Sequence, residues 1–139
     1  MIGDQPAAFA DVLVQRVERR LLPLKQVVVG QDHLHGQIVC QPLRRLAGEL
    51  AELAIHRGDL LIGVGGEATV DLVGFLSATY HRGMRFALVP TTLEAQADSA
   101  IGGKNSIDLA QGPNLLGLVH QPVLVMCDAD LASGRPDYP

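Results

Sequence analysis

Apolar residues recur along the chain in two alternating rhythms. Over 42–56, Leu43, Leu46, Ala47, Leu50, Leu53 and Ala54 fall three and four apart behind Pro42, which predicts a helix. Similar spacing of Phe9, Val12, Leu13, Arg16, Val17 and Leu21 predicts a helix over 7–22, stopped by Pro23. Between and after these come short, largely apolar stretches that read as strands: 26–29 before Gly30, the continuous run 60–64, 85–89 before Pro90, and 123–126. Further helices are expected over 68–80 and from Thr91-Thr92 to about Ile101, with a loop bearing glycine and proline after it. Residues 37–40 stay open between strand and loop.

Helices alternating with continuous apolar strands imply parallel strands covered on both faces. The predicted fold class is therefore α/β: a Rossmann-like parallel sheet with helices on both faces, one domain over 1–139. Ligands of such sheets lie at the carboxyl ends of the strands. That places Gly65-Gly66, Thr91-Thr92 and Asp128 along one rim.

Composition narrows the function classes. With 47% hydrophobic and 19% charged residues, the chain is expected to fold rather than stay disordered. Its net charge is −4 and its 11 Lys and Arg are scattered, so no nucleic-acid or anionic-membrane partner is expected. No apolar run has the length of a membrane span, and the N-terminus lacks the layout of a signal peptide. Cys40 and Cys127 are isolated, which fits a reduced, cytoplasmic protein. The five histidines have no metal-ligand spacing, so no metal ligand is assigned.

The first chemical motif is Gly63-Val64-Gly65-Gly66-Glu67-Ala68, a G-x-G-x-x-A turn between a predicted strand and helix. Such a turn lets backbone approach a pyrophosphate at a helix N-terminus, or simply makes a tight strand-to-helix corner. The second half carries more: LVPTTLEAQADSAIGGK, GPNLLGLVHQP, TYHRG and CDAD, collinear with GGEATVDLVGF. Together these segments, over about 60–130, resemble the 3-dehydroquinate synthase family of sugar-phosphate cyclases. The resemblance implies NAD held by Gly65, Gly66, Ala68, Asp71, Thr91 and Thr92, with Asp98 and Lys104 between cofactor and substrate as the catalytic pair. Arg82, Lys104 and Asn114 would bind a sugar-phosphate substrate, Arg82 reaching across a homodimer interface. Each residue also has a plain alternative: Thr91 and Thr92 as helix caps, Asn114 as a turn residue, Asp71 as a helix-start anion, and the rest as solvated surface groups.

The chain departs from the family pattern at several points. Glu67 and Val70 stand where the family's loop has glycine, and Pro113 stands where it has lysine. A carboxylate about 4 Å from a pyrophosphate costs roughly 1 kcal/mol in water and about 4 kcal/mol at an effective dielectric near 20. The family's second, helical domain supplies a Glu/His/His site for zinc or cobalt, which polarises the substrate alcohol. The expectation is thus a nucleotide-binding half that needs a separate metal-bearing chain, or a non-catalytic scaffold that kept the fold.

Overall fold

In the computed structural model, residues 15–16, 26–31 and 40–132 are described. Among these residues, five strands form the main sheet: β1 (Gln15–Arg16), β2 (Gln26–Gln31), β3 (Leu60–Gly65), β4 (Arg85–Pro90) and β7 (Leu124–Val125), side by side in that order. β2, β3, β4 and β7 run parallel. β1 pairs antiparallel, with Gln15 opposite Val28. A helix was expected at residues 15 and 16. β2 has a side not taken by β3 that offers backbone partners, and Val12, Val14 and Val17 around the pair have strand propensity, which favours pairing instead; the rest of that predicted helix lies outside the described residues. Most of the 37–40 stretch lies outside them too, and Cys40 opens a helix.

The two long helices among the described residues are α1 (Cys40–Glu52) and α2 (Glu67–Thr79). α1 ends before residue 56 because Ala54 turns left-handed at φ 50°. Ile55 N–H then donates to Leu50 O and Ala54 N–H to Ala51 O, which closes the helix end and buries Ile55. Leu46 and Leu50 of α1 join Val70, Val73 and Leu76 of α2 and Leu61, Phe86 and Leu88 of the sheet in one core. At Gly63 an added Cβ would lie 3.0 Å from both Leu88 and Val73, so glycine there lets α2 settle onto β3 and β4. Alternate strand residues Ile62, Val64 and Val89 turn to the opposite face and are half-buried.

The segment read as a loop is a hairpin: β5 (Lys104–Leu109) and β6 (Gly112–Val119), antiparallel, with Lys104 opposite Val119. It packs on α2, which therefore lies between the main sheet and the hairpin, with Thr69, Val70 and Leu72 through Ser77 all buried. Gly112, Pro113 and Gly117 hid the strand, since these residues are depleted in sheets. Only Asn105 and Ile107 of its residues turn fully inward. The wide helical turn Ala95–Ser99 lies inside the predicted short helix, and α3 (Ala129–Ala132) follows β7. No helix among the described residues is long and apolar enough to cross a membrane.

Candidate functional site

The parallel register sets Gly65 of β3 beside Pro90 of β4, so the turns that follow these strands share one rim. Gly66 caps α2 through its carbonyl, which accepts from Thr69 and Val70 N–H. The first turn of α2 points its amide ends toward this crevice, the usual place for an anion. Thr91 N–H donates to Gly65 O at 2.9 Å, and Thr92 packs on Gly66, where a Cβ would come within 3.3 Å of its methyl. Thr92 Oγ1 accepts from Ala95 N–H at 3.2 Å. The capping role of Thr92 is thus realised in the same place as the expected binding role. Gln96 Nε2 donates to Pro90 O and Asp128 O, tying this turn to the end of β7.

Asp71 lies one turn into α2, half-buried. Burial pushes its carboxyl up to about 6, and the charges of Asp108, Glu67 and Asp98 push the same way, against a hydrogen bond with Ser106. Four carboxylates therefore share the rim where a pyrophosphate would lie. Lys104, Ser106 and Asp108 alternate along one side of β5 while Asn105 and Ile107 face α2. Ser106 and Asp108 are rim residues that no sequence motif announced. They arrive because the hairpin folds back over the start of α2, a contact between segments more than thirty residues apart in the chain.

Asn114 has φ 57° and is held inside the hairpin. Its N–H donates to Asp108 Oδ1 at 2.9 Å, and Ser106 Oγ donates to its Oδ1 at 2.6 Å. It lies within β6, at the irregular part of the ladder, and not in the turn expected for it, and its amide oxygen is engaged within the chain.

Arg82 lies apart from this group. It precedes β4, at the amino ends of the strands, roughly 17 Å of strand away from the glycine turn. His81 and Arg82 are both left-handed, at φ 50° and 61°. The turn is stitched to residues 55–58: Arg57 Nε donates to Gly83 O, Arg85 to Gly58 O, and Tyr80 OH to Ile55 O. Arg82, Arg57, Arg85 and His120 line an open cavity of about 510 Å³. Within one chain, Arg82 does not meet the ligands expected at the rim.

The backbone of the rim fits NAD: a glycine corner, a helix start and two threonines converge there. Its four carboxylates set a charge cost. Among the described residues no group of three or more His, Cys, Asp and Glu is placed to hold a metal ion.

Residues 35–138 match the model of the 3-dehydroquinate synthase N-terminal family. The 3-dehydroquinate synthase of Roseobacter denitrificans is 49% identical over 90 residues, covering 65% of this chain and 24% of that protein. That of Thermobifida fusca is 48% identical over 95 residues, covering 67% and 26%. The chain thus spans about a quarter of the length of these relatives. A crystal structure of 2-deoxy-scyllo-inosose synthase with carbaglucose-6-phosphate, NAD+ and Co2+ superposes with a TM-score of 0.68 at 28% identity, over 73% of this chain and 29% of that one. A 2-epi-5-epi-valiolone synthase from Streptomyces hygroscopicus with NAD+ and Zn2+ bound shares the fold, with a TM-score of 0.65 at 22% identity over 70% and 28%. A Rossmann-like sheet with this rim, matched by the family model over most of its length, makes the chain a member of the 3-dehydroquinate synthase N-terminal family.

Proposed function

We propose that the chain is the nucleotide-binding half of a 3-dehydroquinate synthase-like cyclase, which acts on a heptulose phosphate with a second, metal-bearing domain. Gly65, Gly66 and Ala68 hold the pyrophosphate of NAD, and Thr91 and Thr92 hold its nicotinamide side. Bound NAD supplies the acceptor for a substrate hydride and returns it after phosphate is eliminated, before ring closure. Asp98 and Lys104 orient the substrate against it, and the Lys104 ammonium holds substrate oxyanions by charge. Asn114 contacts substrate when its hydrogen bond to Ser106 opens. Arg82 serves the site of a second copy in a homodimer, since its own rim lies at the far end of the strands. Zinc or cobalt comes from the second domain, because the described residues offer no donor set for it.

The observation that carries this reading is the convergence of Gly66, Thr92 and Asp71 on one rim in a chain of this family. The second reading, a non-catalytic scaffold, draws on the same rim: Glu67, Asp71, Asp98 and Asp108 repel a pyrophosphate. Mixing the chain with a metal-bearing second-domain chain and following phosphate release from a heptulose phosphate separates them. Release that needs both chains supports the cyclase. No release from a mixture that forms a stable complex supports the scaffold.

A further inference from the structure

We propose that Asn105 is a positioning residue for Lys104, and that residue 74 is a glycine because of it. The proposal rests on the reading of Lys104 as a ligand of the cofactor or substrate. Asn105 is 2% exposed, held between the hairpin and the middle of α2. Its Nδ2 donates to Gly103 O at 3.0 Å and to His120 O at 2.9 Å. Two carbonyl acceptors on one side fix which end of the amide carries the hydrogens. The other end, Oδ1, lies where a Cβ on Gly74 would stand, so it faces a Cα–H of that glycine, a weak donor. Any larger residue at 74 would displace the amide.

The two carbonyls flank opposite strands, just before β5 and just after β6, at the open end of the hairpin. His120 N–H also donates to Gly103 O at 2.9 Å, and the His120 ring stacks on Phe86 and contacts Met84 O. Gly103 is left-handed at φ 65°, and a Cβ there would overlap the Gln121 amide. Asn105 thus closes a knot that joins Gly103, His120 and α2. Lys104 lies between the two fixed residues. With Asn105 turned inward, strand alternation turns Lys104 to the outer side shared by Ser106 and Asp108, the residues that act on Asp71 at the rim. Losing the knot leaves Lys104 in place in the sequence but free in direction, so its anion contact forms at an added ordering cost.

The sequence holds two lysines, Lys25 and Lys104. In a Lys25→Arg background, reductive methylation with 13C therefore labels the Lys104 amine, beside the N-terminal amine, for NMR. Adding NAD to this protein is expected to shift the Lys104 signal. Gly74→Ala, which displaces the amide, and Asn105→Leu, which fills the space without donors, are expected to raise the midpoint by about tenfold. Both should also speed exchange of the His120 amide by about tenfold. Gly74→Ala combined with Asn105→Ser, which makes room for the methyl, should recover part of the midpoint. Folded variants whose NAD midpoint and His120 exchange stay at the parent values overturn the proposal. A parent Lys104 signal that ignores NAD overturns the ligand reading of Lys104 instead. His120 exchange alone then decides the clamp: faster exchange in both variants upholds it, and unchanged exchange overturns it.

Discussion

Asp71→Asn isolates the charge problem at the rim. The folded chain raises this carboxyl from 3.8 to about 6, through burial first and then Asp108, Glu67 and Asp98. At 1.36 kcal/mol per pH unit, that displacement is worth at most about 3 kcal/mol against the ionised form, and less once solvent screening of this half-buried carboxyl is counted. Because the folded state binds this proton more tightly than the unfolded chain, stability falls as pH rises from about 4 to about 6. The full loss is present above that window and absent below it. Asparagine keeps the shape of the side chain and cannot ionise. Asp71→Asn should therefore exceed the parent by about 1–3 kcal/mol in urea unfolding at pH 7.5, with the gain gone below pH 4. NAD should follow the same proton. Its affinity for the parent should rise about tenfold as pH falls through 6, while the variant stays nearly flat. An equal stability difference at both pH values, or an NAD affinity indifferent to pH in the parent, would refute the electrostatic account of Asp71.

Other expectations follow from single positions. Ala54→Gly, at the left-handed end of α1, should raise stability by about 0.5–1 kcal/mol in urea unfolding, because glycine adopts that conformation without strain. Gly63→Val should cost about 1–3 kcal/mol or more, since its side chain would meet Leu88 and Val73 at the α2 contact. Light scattering at micromolar concentration should give the mass of a dimer if Arg82 serves a second copy; a monomer would remove Arg82 from the site.

The centre of the fold was legible because its signals are local. Unbroken apolar runs marked β3 and β4, and the glycine corner marked the passage from β3 into α2. Where tertiary contacts overrule local pattern, the sequence misled. The β5–β6 hairpin looks like loop, because Gly112, Pro113 and Gly117 speak against a strand and only Asn105 and Ile107 are buried along it. α1 stops early at Ala54, a residue that carries none of glycine's usual warning. At the site, the family motifs led to Gly66, Thr92 and Asp71, which do share a rim. Ser106 and Asp108 escaped notice because only the folded hairpin brings them to Asp71. Arg82 carries a strong motif yet lies at the other end of the strands, a separation that becomes visible only once the parallel register is known.

The central claim, a cyclase-type NAD rim with a misplaced charge, is tested most directly by calorimetric titration of NAD into the parent chain and into Glu67→Gly. Glu67 starts α2, exposed, within reach of Asp71. The account predicts saturable binding in the parent, strengthened by about ten- to a thousandfold when the carboxylate is removed. Folded protein that gives no saturable heat in either form would contradict it.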